Sequence, residues 1–149
     1  MKLGEFFSAV PDNRFNHREL NGGEMLPKTV MIIDDDREFS EELEEALRLS
    51  DYETITVKDP ALALREAISK KPDVALLDLK MYGQNGFLLA NEFKNSRRFA
   101  DMPIIAMSGC FKNKDSEFLN TYGFKGYLEK PFNPADVIAK IKDVLKSVF

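Results

Sequence analysis

Residues 30–47 read VMIIDDDREFSEELEEAL. The four apolar residues Val30-Met31-Ile32-Ile33 give way to the acids Asp34, Asp35 and Asp36, and then to a stretch in which Phe39, Leu43, Ala46 and Leu47 recur at helical spacing. A short unbroken apolar run reads as a strand buried on both faces, and the pattern after it as a helix with one apolar stripe. Strand, acidic turn and amphipathic helix form the repeating unit of an α/β protein. The rest of the chain repeats it.

Further apolar runs are Thr54-Ile55-Thr56-Val57, Val74-Ala75-Leu76-Leu77, Ile104-Ile105-Ala106-Met107 and Gly126-Tyr127-Leu128. Helical patterns follow them: Ala61, Leu64, Ala67 and Ile68; then Leu89 and Phe93; then a weak one within 113–122 that Gly123 would end. The last is the clearest, with Val137, Ile138, Ile141, Val144, Leu145 and Val148 on one side. Asn133-Pro134 and Asp59-Pro60 supply an N-cap followed by a proline at the first helical position.

Five strands alternating with five helices predict an α/β fold, a doubly wound parallel sheet covered on both faces. Runs one, three and four are apolar throughout and belong at the centre. Run two alternates threonine with aliphatics and run five is short, as befits edges. The implied strand order is 2-1-3-4-5, the flavodoxin-like arrangement, with a ligand site at the carboxyl ends of the strands beside the switch point between strands one and three.

This unit occupies residues 27–149. The preceding segment, 1–26, shows no sustained period and reads as an N-terminal extension or linker, either poorly structured or docked through Phe6, Phe7 and Val10. Its His17 is the only histidine, so neither a histidine metal site nor a triad can be built around it.

The chain has 149 residues, 44% hydrophobic and 31% charged, enough to bury a core and inconsistent with disorder throughout. A net charge of -4 argues against coating nucleic acid or an anionic membrane. Cys110 is the single cysteine, which excludes an intramolecular disulfide and fits a reducing compartment. No apolar run has the length of a membrane span, and the first residues lack the form of a signal peptide. The expectation is a soluble, cytoplasmic protein.

The carboxyl ends of the strands carry the chemistry. Strand one is followed by Asp34, Asp35 and Asp36, strand three by Asp78, strand four by Ser108, and strand five leads to Lys130-Pro131. Each has an ordinary explanation alone: Asp34 to Asp36 can cap the first helix, and Asp78 can cap a turn. Together they place several carboxylates, a hydroxyl and an ammonium on one edge of the sheet. Carboxylates a few ångströms apart repel by roughly 1 to 4 kcal/mol per pair, so a cation is required. Lys130 supplies one charge, and a hard divalent ion, Mg²⁺ or Mn²⁺, suits the oxygen donors. Metal-binding acids beside a further carboxylate suit phosphoryl transfer to that carboxylate, giving an acyl phosphate.

The segments VMIIDDDREFSEELEEAL, PDVALLDLKMYGQNGFLL, MPIIAMSG and GYLEKPF, in this order, resemble the receiver domain of bacterial two-component response regulators over about residues 28 to 149. The resemblance implies that Asp78 is the phosphoacceptor, Asp35 a direct Mg²⁺ ligand, Asp34 the acid that orients a metal-bound water, and the Lys80 backbone carbonyl a further ligand. It makes Ser108 the switch hydroxyl, Tyr127 the switch aromatic and Lys130 the phosphate-pairing lysine, with a cis bond to Pro131. Asp36 has no family role at the metal and is left to cap the first helix. The implied function is a signalling switch: a sensor histidine kinase or phosphotransfer protein phosphorylates Asp78, and the face of helix four, strand five and helix five changes to control a downstream effector protein. A phosphorylation-dependent homodimer is compatible with this.

Some positions depart from the family pattern. Tyr82 stands where proline is usual, with Gly83 and Gly86 expected to preserve the turn chemistry. Lys80 and Cys110 lie where side chains can screen an acyl phosphate from water. A haloacid dehalogenase-type phosphatase would want an acid at position 80 and is disfavoured, so no enzyme acting on a separate substrate is expected. A flavodoxin-like electron carrier is disfavoured by the three carboxylates after strand one. The remaining alternative is a receiver-like interaction module that does not use phosphorylation. No helix-turn-helix or catalytic signature follows the fifth helix, so the output is expected through another protein rather than through direct contact with nucleic acid or membrane. Both a free-standing receiver and a piece of a longer regulator satisfy this.

Overall fold

The computed structural model describes residues 17–19, 25–81, 84–109 and 116–146. Five strands form the central sheet: β1 (Thr29–Ile33), β2 (Glu53–Val57), β3 (Val74–Asp78), β4 (Ile104–Ser108) and β5 (Gly126–Glu129). They run parallel in the order β2-β1-β3-β4-β5, as the apolar patterns predict. The helices are α1 (Arg37–Leu49), α2 (Ala63–Lys70), α3 (Gly86–Lys94), α4 (Ser116–Thr121) and α5 (Pro134–Lys146).

Every residue of β1, β3 and β4 is buried. Successive side chains point to opposite faces, so each of these strands feeds two cores. Met31, Ile33, Ala75, Leu77, Ile104 and Ala106 pack with Ala63, Ala67, Leu89, Phe93 and Leu119 of α2, α3 and α4. Val30, Ile32, Leu76, Ile105 and Met107 pack with Leu43 and Leu47 of α1 and with Val137, Ile141 and Leu145 of α5. At the edges, β2 and β5 are only partly buried.

Local chemistry sets the helix starts. The Asp36 carboxylate accepts from the Phe39 N–H and caps α1, Asp59 accepts from Ala61, and Asn133 accepts from Asp136 at the head of α5. Gly123, with φ +83°, closes the turn after α4. The second helix departs from its sequence pattern. Its first turn, Pro60–Leu62, is a 3₁₀ helix, and the buried stripe of α2 is Ala63 and Ala67, whereas Ala61 and Ile68 are exposed. Of the stripe read from the sequence, Ala67 is buried and Leu64 packs partly buried against the core, while the 3₁₀ turn, with three residues per turn instead of 3.6, takes Ala61 out of phase.

Ahead of the sheet, His17–Glu19 pairs antiparallel with Met25–Pro27, a small ribbon inside the segment that shows no period in sequence. Strands of three residues are too short for alternation to register. The positions of Phe6, Phe7, Val10, Tyr82, Gly83, Cys110 and Val148 lie outside the described residues. Among the described residues no helix is long and apolar enough to cross a membrane.

Candidate functional site

Strand register brings the acids together. Ile33 of β1 lies opposite Leu77 of β3, so Asp34 and Asp78 sit side by side at the ends of the two central strands. One ligand oxygen from each of Asp34, Asp35 and Asp78 lies within 4.8 Å of the others. Asp34 and Asp78 are buried, and Asp35 is exposed at the rim.

Asp34 is held from both sides. Its backbone N–H donates to the Val57 carbonyl at 3.1 Å, one carboxylate oxygen accepts from the Asp36 N–H at 2.9 Å, and the other accepts from the Lys130 ammonium at 2.6 Å. Lys130 Nζ is 3.8 Å from the nearer Asp78 oxygen, so one ammonium faces both buried carboxylates and is paired more closely with Asp34. The second Asp78 oxygen accepts from the Lys80 N–H at 3.1 Å.

Burial pushes the Asp78 carboxyl up to about 6, and the neighbouring Asp34 charge adds to the rise. The Lys80 N–H and the Lys130 ammonium act in the opposite direction. A buried carboxyl in this condition lacks positive charge, and an all-oxygen donor set of three acids is what a hard divalent cation requires. The residues present therefore fit Mg²⁺ or Mn²⁺. The Lys80 carbonyl belongs to the same turn as Asp78.

Ser108 ends β4 and is buried. Its carbonyl accepts two hydrogen bonds, from the Lys130 N–H at 3.1 Å and from the Tyr127 hydroxyl at 3.0 Å. Ser108 thus ties the aromatic of β5 to the backbone that carries the lysine. The Lys130-Pro131 bond is cis. All the sequence-predicted residues, Asp34, Asp35, Asp78, Lys80, Ser108, Tyr127 and Lys130, stand at this one end of the sheet.

Further residues here have roles that the sequence did not announce. Past Asp78, Lys80–Met81 pairs antiparallel with Gln84–Asn85, and this tight ribbon returns the chain so that α3 begins against the end of β3. Asn85 caps α3 by accepting from the Phe87 N–H. Gly86 donates to the Leu79 carbonyl at 3.3 Å, and a Cβ on it would lie 2.6 Å from the Asp78 carbonyl oxygen. The expected turn role of Gly86 is therefore corrected: it is helical, and glycine is needed there for close backbone approach. Another is Phe39 in α1, whose ring centroid is 4.1 Å from Lys130 Nζ.

Comparison with known proteins yields a consistent picture. The sequence pattern described as "Response regulator receiver domain" matches residues 30–142. The phosphate regulon transcriptional regulatory protein PhoB of Pseudomonas aeruginosa is 30% identical over 122 residues, which cover 82% of this chain and 53% of that one. A CheY-like response regulator receiver domain protein from Methanospirillum hungatei superposes with a TM-score of 0.74 at 26% identity, covering 81% of this chain and 95% of the other. The N-terminal domain of the nisin resistance regulator NsrR gives 0.70 at 28% identity, with 79% and 97% covered. The chain spans about half the length of curated relatives that it matches.

Proposed function

Because the chain belongs to the response regulator receiver domain family of two-component signalling, whose general function is a phosphorylation-dependent switch, we propose that its acceptor is Asp78. The observation that carries this reading is the convergence of Asp34, Asp35 and Asp78 around the Lys130 ammonium at the carboxyl ends of the central strands. The receiver spans residues 27–149, with 1–26 as its extension.

Asp34, Asp35, Asp78 and the Lys80 carbonyl would hold Mg²⁺ or Mn²⁺, which supplies positive charge to the phosphoryl oxygens. An Asp78 carboxylate oxygen attacks the phosphorus of a phosphohistidine on a sensor kinase or phosphotransfer protein. The new O–P bond forms as the N–P bond breaks, and the imidazole nitrogen leaves with the bonding pair. Lys130 then pairs with one phosphoryl oxygen, and the Ser108 hydroxyl donates to another.

The Tyr127 hydroxyl is bonded to the Ser108 carbonyl, so a movement of Ser108 toward the phosphoryl group pulls on the aromatic of β5. Next to it, a groove of about 510 Å³ between β5 and α5 is lined by Tyr127, Phe132, Asp136, Lys140 and Asp143. That face suits a downstream effector protein. Signalling, rather than turnover of a separate substrate, fits a site whose residue two past the acceptor is the exposed Lys80 instead of an acid.

Incubation with Mg²⁺ and acetyl phosphate tests the proposal. The expected result is a mass gain of one phosphoryl group, mapped to Asp78; no gain would favour an interaction module that does not use phosphorylation. Lys80 offers a second measurement. Its side chain is exposed two residues past the acceptor, and we infer that it screens the acyl phosphate from an in-line water. Lys80→Ala is expected to hydrolyse its aspartyl phosphate several-fold faster than wild type, on the order of 1 kcal/mol of barrier. An unchanged decay rate removes this role.

A further inference from the structure

We propose that Phe39 is a positioning residue for Lys130, its ring face serving as a seat along which the ammonium passes from Asp34 to the phosphorylated Asp78. This inference rests on the phosphoacceptor reading above. Lys130 Nζ lies 4.1 Å from the Phe39 centroid, well inside the reach of a cation–π attraction. The ring itself is fixed. Its backbone N–H is tied to the capping Asp36 carboxylate at 3.1 Å, and Phe132 meets it edge-on at a centroid distance of 5.5 Å and an interplanar angle of 77°. Phe132 stands two residues beyond Lys130, so the lysine and the ring that buttresses its seat come from one short segment.

The seat matters because the resting ion pair is unequal. The ammonium is 2.6 Å from Asp34 and 3.8 Å from Asp78, so service to a phosphoryl group on Asp78 draws it away from its tighter partner. Once Asp34 also engages a metal, its hold on the ammonium weakens, and a flexible four-carbon stem facing carboxylates alone leaves the charge free to sample other directions before the phosphoryl group arrives. An aromatic face attracts the charge without a fixed hydrogen-bond direction. The ammonium can slide over the ring while its stem stays in place. A leucine at position 39 would cover the stem equally well but offer no charge attraction.

The experiment replaces Phe39 with mono-, di- and trifluorophenylalanine, which drain the ring face of negative charge at nearly constant volume, and with Trp and Leu. Phosphorylation rates are measured with acetyl phosphate at saturating Mg²⁺. In parallel, the ε-methylene proton shifts of Lys130 are recorded without metal. The rate is expected to fall stepwise with fluorination, to fall about 3- to 30-fold in Phe39→Leu, and to be kept in Phe39→Trp. The wild-type ε-methylene protons are expected upfield, as under an aromatic face, and to lose that shift in Phe39→Leu. Fluorinated rings at the wild-type rate would overturn the proposal even if Phe39→Leu were slow, since packing alone would then explain the leucine. A missing ring-current shift in the wild type would overturn it as well. A wild-type chain that takes up no phosphoryl group overturns the acceptor reading instead, and the Lys130 shifts alone then decide whether Phe39 is its seat.

Discussion

Asp78→Asn is expected to take up no phosphoryl group and, without divalent metal, to be more stable than wild type near pH 8. Asparagine keeps the shape of the side chain and an oxygen for the Lys80 N–H, but it is no nucleophile and carries no charge. In the wild type the folded carboxyl is pushed up from 3.8 to about 6, first by burial and then by Asp34. A group whose folded value is raised binds its proton more tightly folded than unfolded. Its contribution to stability is complete below about pH 4 and is lost as the pH rises through about 6. At pH 8 the metal-free wild type therefore carries a cost on the order of 2 to 3 kcal/mol that the variant lacks.

Urea midpoints at pH 5 and pH 8, with and without Mg²⁺, measure this. The advantage of the variant is expected to shrink at pH 5, where the wild-type carboxyl is largely protonated. Mg²⁺ is expected to raise the wild-type midpoint more at pH 8 than at pH 5, because the metal needs the ionised acid, and to do little for Asp78→Asn. Equal metal-free midpoints for the two proteins at pH 8 would mean that Asp78 is not held at a cost.

Gly86→Ala is expected to cost stability at or above the upper end of the roughly 1 to 3 kcal/mol typical of overpacking. The new methyl would lie 2.6 Å from the Asp78 carbonyl oxygen and 2.8 Å from the Leu79 Cα, both backbone atoms at the end of a central strand. Neither can swing aside, so α3 or β3 must move, and Asp78 moves with the latter. Slower phosphorylation should accompany the loss of stability. Gly126→Ala is the control, since its Cβ would meet the Lys140 stem at 3.0 Å, a flexible chain that can give way. Urea midpoints and acetyl phosphate kinetics of both variants provide the comparison. Equal stability of the two variants would contradict the close approach of α3 to β3.

These two positions mark how far the sequence could be read. The central strands were legible because β1, β3 and β4 are buried on both faces, and their apolar runs carry no polar interruptions. The caps were legible too, since Asp36, Asp59 and Asn133 act on residues two or three places away. What escaped depends on contacts between segments distant in sequence or on strands too short to show a period. Gly86 reads as a turn glycine because its neighbour across the gap, the backbone of Asp78, is brought there by the pairing of Lys80–Met81 with Gln84–Asn85. Phe39 was legible as a residue on the apolar stripe of α1, but nothing local reveals that it faces a lysine following β5. In α2 the pattern holds for Leu64 and Ala67, and only Ala61, which sits in the preceding 3₁₀ turn, and Ile68 fall outside the core. For the acids and Lys130 the chemistry at the ends of the apolar runs was sufficient, because a parallel sheet aligns those ends.

Asp34 and Lys130 are joined across 96 positions of sequence, and Asp78 lies between them on a third element. A chain that has left the ribosome only as far as β4 already carries the Asp34 and Asp78 carboxylates but has no lysine to offset them and no β5 beside Ser108. A fragment cut before β5 is in the same condition. On the proposed reading, a phosphodonor that needs the assembled cluster would act only on chains in which β5 has joined the sheet.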